Sequence, residues 1–410
     1  MTSAEGTVLL MKEASGGEAP LPPDPSCLRV TDGVSGVIER SSGGAGIRNV
    51  LNDRFLSRLE QMVPVLRDEP MTRHTTLSIG GPAAAYAQVT QACQLRAIAG
   101  LAREWEVPLF MVGAGSNLLV SEAGIDALVV QTWANAATVR PSDAADPWPT
   151  PKSTGLRSAV PGSTCPRGAN PGTAGVLPAR EEEGPAAGSR VPPCDPEAGV
   201  RAWVYSGAPL PRLAYEAAGV GLAGLEWAVG IPGTVGGGVV NNAGAHGSDM
   251  AAVIRRIRVT DGRDERIIEQ GDLGYGYRES NFRTRWAADP PVVLEVEIAL
   301  HADSPKAIRH RIAEHAAHRR ATQPGQRSVG SIFKNPPGKA AGWLIEQAGL
   351  KGRRAGDAQI STKHGNFIVN RGRARASDVN ELIRLIQDTV KAQFGVQLEL
   401  EIQPVGEESS

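Results

Sequence analysis

GLEWAVGIPGTVGGGVVNNAGAHG, residues 224–247, holds too much glycine to be ordinary core: seven glycines and Pro232 lie between Gly230 and Gly247. Where Cβ atoms are missing, main-chain amides can approach a flat ring system and a diphosphate closely. Asn241 and Asn242 add amide donors and acceptors near the end of the run. The plainer alternative is a set of tight turns in a packed sheet.

Three further stretches bear on the same chemistry. VGAGSNLLVS at 112–121 follows the strand pattern PLFMV at 108–112, and its small residues suit an anion-holding nest of N–H groups. It is not a dinucleotide GxGxxG turn, because Asn117 and Leu118 occupy the later positions and strand, not helix, follows. A plain strand-to-strand turn fits it equally well. SVGSIFKNPPGKAAGWLIEQAGLKG at 328–352 reads as a turn leading into an amphipathic helix that closes on Gly349 and Gly352. That turn can set the hydroxyl of Ser331 beside the cation of Lys334 and the amide of Asn335, a grouping suited to an anionic substrate that must receive a proton. YGYRES at 275–280 places Arg278 between Tyr277 and Glu279 at the end of a strand pattern. An arginine there can clamp a carboxylate; the bland reading is a surface arginine paired with Glu279. Near the C-terminus Val396, Leu398, Leu400 and Ile402 alternate with Gln397, Glu399 and Glu401, which predicts a half-buried strand. Nothing in that pattern chooses between Glu399 and Glu401.

The bulk numbers exclude several classes. The 410 residues carry 43 basic and 44 acidic side chains, so no global field points to nucleic acid or to a membrane surface. No signal-peptide pattern and no run of the length a membrane span needs is visible, which predicts a cytoplasmic protein. Cys27, Cys93, Cys165 and Cys194 are scattered without zinc-ligand spacing and argue against a disulfide framework. His310, Glu314 and His318 share a helical face with His315 nearby, but no fourth ligand or HExxH pattern accompanies them. Ile308 and Ile312 supply the apolar side of that helix, so the histidines are expected on the solvated one and no metal is expected. Residues 1–51 and 134–200, rich in Gly, Pro and small polar residues, are expected to be a disordered extension and a disordered insertion. Helices are expected from Asn52, over Leu210–Ala218, from Pro305 to about Arg320, and from a Ser377 cap to Gly395, the last with Val379, Leu382, Ile383, Ile386 and Val390 on one face.

Taken in order, TTLSIGGPA near residue 75, VGAGSNLLVS, GLEWAVGIPGTVGGGVVNNAGAHG, YGYRESNFR, SVGSIFKNP, AGWLIEQAGLKG, HGNFIVN and the last strand resemble the UDP-N-acetylenolpyruvoylglucosamine reductase family. Apart from the insertion, the likeness covers nearly everything from about 56 to 406. It implies an α+β fold: an FAD-binding architecture of the vanillyl-alcohol-oxidase (PCMH) type in two subdomains, plus a C-terminal α+β substrate-binding domain. On that scheme 52–133 is the first flavin subdomain, completed by 396–406; 201–300 is the second, and 301–395 is the substrate domain. The resemblance gives FAD to Gly113, Ala114, Gly115, Ser116, Asn117 and Leu118 at the diphosphate. Along the flavin it implies Gly230, Ile231, Pro232, Gly233, Thr234, Gly236, Gly237, Asn242 and Gly244.

In the chemistry so implied, NADPH reduces the flavin, which then passes hydride to C3 of UDP-N-acetylglucosamine enolpyruvate, giving UDP-N-acetylmuramate for peptidoglycan. Ser331 matches the family's proton donor to C2, while Arg278 and Glu401 match the arginine and late-strand glutamate that stabilise developing charge. Tyr277, Lys334 and Asn335 would bind the substrate. Gln403 and Pro404 depart from the arginine and bulky apolar residue more usual there, and the chain looks like the shorter type. A monomer acting on a UDP-sugar and NADPH, without nucleic-acid or membrane partners, is the expectation. The rivals are a carbohydrate or alcohol oxidase on the same flavin fold and a non-catalytic nucleotide-sugar-binding protein.

Overall fold

A computed structural model describes residues 51–134, 139–141 and 200–406. Order begins with Asn52, whose side chain accepts the Phe55 N–H at 2.9 Å and so caps the helix Asp53–Glu60. Phe55, Leu56 and Leu59 recur at helical spacing and are the face it buries. The first sheet runs Val65–Pro70, Pro82–Val89, Ile125–Thr132, Leu109–Val112. Its first pair is antiparallel and the other two are parallel. Parallel neighbours need a crossover. The helix Ala92–Glu104 provides it, packing Leu95, Ile98, Ala99 and Ala102 into the core.

The second sheet is antiparallel, in the order Glu265–Glu269, Ile254–Thr260, Val292–Ala302, Val200–Tyr205, Val139–Pro141. Val293, Val296, Ile298 and Leu300 pack with Leu210, Leu213 and Ala214 of the helix Leu210–Gly219. Glu295 and Glu297 are also buried, and each meets an arginine, Arg258 and Arg256 respectively. A buried carboxylate needs such a partner to offset its lost hydration. Pro141 pairs with Ala202, so the two ends of the 134–200 segment meet on adjacent strands. Most of that segment, and residues 1–50, fall outside the described residues, so the expectations of disorder do too. Cys27, Cys165 and Cys194 also lie outside the described residues, so the expectation about a disulfide framework does too.

The C-terminal unit sets a three-stranded sheet (Arg354–Ala355, Ala358–Ile360, Ile368–Asn370) against the helices Ala341–Gln347 and Ala376–Phe394. Val379, Leu382, Ile383, Ile386 and Val390 form the buried face that the sequence pattern shows. Leu77, Ile79 and Leu119 from the first unit enter this same core. Thr76 Oγ1 donates to the Ser328 carbonyl at 2.7 Å, and Asn370 Nδ2 donates to the Leu77 carbonyl at 3.0 Å. Finally Gln403–Val405 pairs in parallel with Leu118–Val120, returning the chain to the first unit.

Three local readings change. Residues 396–402 carry a single bridge, Phe333 to Leu400, rather than a ladder, because their partner is a turn. The alternation still holds, with Leu398 and Ile402 buried and Glu399 exposed. The last helix begins at Ala376, one residue before Ser377: the carboxylates of Asp378 and Glu122 accept the N–H groups of Arg375 and Ala376, leaving no need for a hydroxyl cap. YGYRES is a turn bridged from Gly276 to Glu279 rather than a strand end. Ile386 is fully buried in the C-terminal core. We expect Ile386→Ala to cost about 3 kcal/mol of stability in denaturant unfolding. A loss under about 1 kcal/mol would place this helix face outside the core.

Candidate active site

Between the strands Leu109–Val112 and Leu118–Val120 the carbonyls of the glycine turn point back into the protein. Gly113 O accepts from Gln131 Nε2 at 2.8 Å, Gly115 O from Thr76 N at 3.2 Å, and Asn117 O from Gln403 N at 2.9 Å. Among the described residues, no protein acceptor takes the N–H groups of Gly113, Ala114, Gly115, Ser116 or Asn117. A run of outward N–H groups is the donor set a diphosphate requires. Gly115 must be glycine: its φ is +62°, and a Cβ there would lie 2.0 Å from the His74 carbonyl oxygen.

The second glycine run meets the first. A Cβ on Gly113 would lie 2.4 Å from Thr234 Oγ1, so the two loops touch where only glycine fits. Thr234 caps the short helix Val235–Asn241, and the N–H groups of Gly233 and Thr234 also lack protein acceptors among the described residues. The two loops therefore fit a flavin dinucleotide, with donors for its diphosphate and bare backbone for its ring. Asn242 differs from the rest of its stretch. It is buried at φ +41°, donates to Asp249 and to the Gly276 carbonyl, and accepts from Ala251 N, so its side chain is spent holding the loop.

Arg278 joins three remote segments. Its Nε donates to Glu401 Oε1 at 2.9 Å, Nη2 to the Gly244 carbonyl at 2.6 Å, and Nη1 to the Asn242 carbonyl at 3.4 Å. Its own φ of +58° is the strained left-handed conformation that aims the side chain inward. The pairing with Glu279 that the sequence allows does not occur; Glu279 instead meets Lys334 Nζ at 2.8 Å. The two late glutamates differ in position: Glu401 is partly buried against Arg278, while the Glu399 side chain is 76% exposed. Burial pushes the Glu401 carboxyl above its ordinary value, opposed by the cations of Arg278, Arg283 and Lys334.

The turn bearing Ser331 pairs with the main chain of the segment that carries Glu401. Glu401 N donates to the Ile332 carbonyl at 2.8 Å, and Lys334 N to the Glu399 carbonyl at 2.9 Å. Ile332 and Phe333 anchor the turn in the C-terminal core, while Ser331 stays partly exposed. Of the other sequence-stretch candidates, Tyr277 is 52% exposed, with the Arg278 guanidinium 5.2 Å from its ring centre. Asn335 Oδ1 accepts from Ala341 N at 2.9 Å, which ties it to the start of the helix Ala341–Gln347. His310 pairs with Glu314 at 3.4 Å in solvent, and no three metal-type ligands converge among the described residues. Arg283 escaped the sequence reading. Its Nη1 donates to Asn241 Oδ1 at 3.1 Å and to the Glu401 carbonyl at 3.2 Å, beside Asn117 Nδ2, which reaches the same two oxygens. A cation five residues past Arg278 was the one available hint.

Residues 323–405 match the family profile of the UDP-N-acetylenolpyruvoylglucosamine reductase C-terminal domain, and residues 194–271 match that of an FAD binding domain. A UDP-N-acetylenolpyruvoylglucosamine reductase 2 of Symbiobacterium thermophilum is 40% identical over 353 residues, 85% of this chain and 95% of its own. The reductase of Chloroflexus aggregans is 39% identical over 341 residues, 82% of this chain and 96% of its own. Among solved structures, UDP-N-acetylenolpyruvylglucosamine reductase from Thermus caldophilus superposes with a TM-score of 0.58 at 33% identity, covering 83% of this chain and 98% of that one.

Because the folded state holds the Glu401 proton more tightly than the unfolded chain, this group's stabilising contribution is complete at low pH. It is lost as pH rises through the raised folded-state value. Arg278 is first among the influences that oppose burial. Arg278→Met should therefore move the Glu401 titration further up, read from the carboxyl 13C shift; an unchanged or lower titration would contradict the assigned balance.

Proposed function

The chain belongs to the UDP-N-acetylenolpyruvoylglucosamine reductase family, and from that premise we propose how its own residues reduce UDP-N-acetylglucosamine enolpyruvate to UDP-N-acetylmuramate for peptidoglycan. The enzyme is an FAD-dependent oxidoreductase with NADPH as reductant, on the α+β flavin-binding fold of the vanillyl-alcohol-oxidase type. The observation that carries the residue roles is the Arg278–Glu401 pair, locked to the Gly244 carbonyl, on a segment whose main chain pairs with the Ser331 turn.

FAD, when bound and reduced by NADPH, supplies the hydride that enters C3 of the enolpyruvyl group. The N–H groups of residues 113–117 would hold the cofactor diphosphate, and Gly230, Ile231, Pro232, Gly233, Thr234, Gly236, Gly237 and Gly244 would line the ring, with Leu118 seating the loop. Charge that builds on C2 and its carboxylate is stabilised by Arg278, with Glu401 fixing the guanidinium. The Ser331 hydroxyl then delivers a proton to C2. A serine hydroxyl is a weak acid, so this step depends on the electrostatic help beside it. Lys334 takes an anionic group of the substrate, and the exposed Tyr277 ring packs on its sugar or base. Asn335 acts through the helix it caps. The three units act as a first flavin subdomain (52–133 with 396–406), a second (201–300) and a substrate domain (301–395).

The reading takes the enzyme as a monomer acting on a UDP-sugar and NADPH. Among the described residues no helix is long and apolar enough to cross a membrane, and the reading places the enzyme in the cytoplasm with its nucleotide substrates. An oxidase on the same flavin fold would explain the glycine loops but not the Ser331–Lys334 turn in a reductase-type C-terminal domain. Anaerobic spectra test the whole: flavin bands should bleach with NADPH and return with the enolpyruvyl sugar, whereas return only with oxygen would favour the oxidase. In Ser331→Ala we expect bleaching by NADPH at near the parent rate and substrate-driven recovery slowed by about 10²–10⁴-fold. Equal slowing of both half-reactions would remove Ser331 from the proton-donor role.

A further inference from the structure

Outside the Arg278 centre, four basic side chains gather on two segments. His246 follows the Gly244 carbonyl that holds Arg278 and sits at φ +53° on an exposed loop. The His315 ring stacks on it at 4.0 Å between centroids and 17° between planes, and His318 meets it edge-on at 5.6 Å. Both belong to the helix Pro305–Thr322, as does Arg319. The Arg319 guanidinium lies against Gly230, where a Cβ would stand 3.1 Å from Nε.

Among the described residues no acid pairs with this group. Glu314 on the same helix is paired with His310, while Glu226 and Asp303 are both taken by Arg311. Among the described residues none of the four side chains has a hydrogen-bond or ion-pair partner. Their mutual field is felt: burial first, then the charges of His315, His318 and Arg319, hold the His246 ring below the ordinary histidine range. Burial also lowers Arg319. Arg319 is a cation and each of the three rings can take a proton, so an anion among them would favour the protonated rings and meet all four groups. A phosphate fits best. It carries close to two negative charges near neutral pH and offers three acceptor oxygens, against one guanidinium and three imidazole N–H edges.

We propose that His246, His315, His318 and Arg319 form a phosphate-binding subsite beside the active centre, taking a nucleotide phosphate: the phosphate monoester of NADPH or the diphosphate of the UDP-sugar. The subsite itself stands on the cluster; the choice of these nucleotides rests on the reductase reading above. It touches Gly230 on one side and the Gly244–His246 loop on the other, so an occupant would lie along both segments assigned to the flavin and to Arg278.

The test uses the flavin-loaded full chain and the variants His315→Gln and His246→Gln/His315→Gln. Loss of one charge-assisted hydrogen bond should raise KM for NADPH about tenfold or more, leaving KM for NADH unchanged and kcat nearly so. A rise confined to KM for the UDP-sugar supports the subsite and assigns it to the diphosphate. Unchanged KM for both overturns it. Should the variants fail to fold or to retain flavin, histidine ring-proton titrations of the unaltered holoenzyme decide. Shifts with adenosine 2′-monophosphate but not adenosine, or with UDP but not uridine, support the subsite, and no shift with either phosphate overturns it. A protein that turned over neither NADPH nor the enolpyruvyl sugar would defeat the reductase reading while these titrations still reported on the phosphate site.

Discussion

The contact between Arg278 and Glu401 is the constraint on which the rest of the site depends. Glu401 lies 123 residues along the chain and is delivered by the segment that ends in the strand Gln403–Val405. Taking a carboxylate out of water costs several kcal/mol unless its charge and lone pairs are matched. Arg278 answers with its Nε, while Arg283 and Asn117 hold the Glu401 main chain from the other side. Removing the arginine would leave a buried charge without its partner, and the carboxyl would respond by keeping its proton. The left-handed backbone at Arg278 is stable because Gly244 and Asn242 fix the guanidinium at the same time.

The same delivery shapes the phosphate loop. Gln403 and Val405 pair with the 117–121 segment, so the strand that brings Glu401 also fixes the turn whose N–H groups face outward. Leu77, Ile79 and Leu119 then lock into the C-terminal core with Ile332 and Phe333, the residues that carry Ser331. The glycine turn, the charged pair and the Ser331 turn are thereby referred to one packed core rather than to three separate loops. Interiors packed to crystal-like density pass a displacement at one end to the other.

Much of this was legible in the sequence because it is written in local patterns. The glycine runs, the Ser331 turn and the apolar face of the last helix depend on residues three to eight apart, and the structure carries each of them. The failures are of another kind. YGYRES resembles a strand end, and only the packing of Asn242 and Gly244 makes Arg278 adopt positive φ. Glu399 and Glu401 are equivalent in pattern and differ in what the fold sets beside them, Arg278 at Glu401 and solvent at Glu399. Asn335 has the chemistry of a ligand group but is committed to a helix start, and Arg283 has no local signature at all. What the sequence withheld was pairing across more than about a hundred residues, where no periodicity records the partner.

The two ion pairs of the centre also differ in what they permit. Arg278 and Glu401 are 21% and 19% exposed, so water screens them weakly and the pair holds as a fixed element. Lys334 is similarly covered at 17%, but its partner Glu279 is 52% exposed and held by a single contact. An ion pair open to water on one side is worth little, because solvent competes for the carboxylate. Lys334 can therefore leave Glu279 for a better anion at small cost, and its position would bring that anion close to the Ser331 turn. Arg278 has no such freedom: three of its five N–H groups already have acceptors that fix the guanidinium in place. The arrangement gives one cation that moves to bind and one that stays to stabilise, a division that follows from exposure alone.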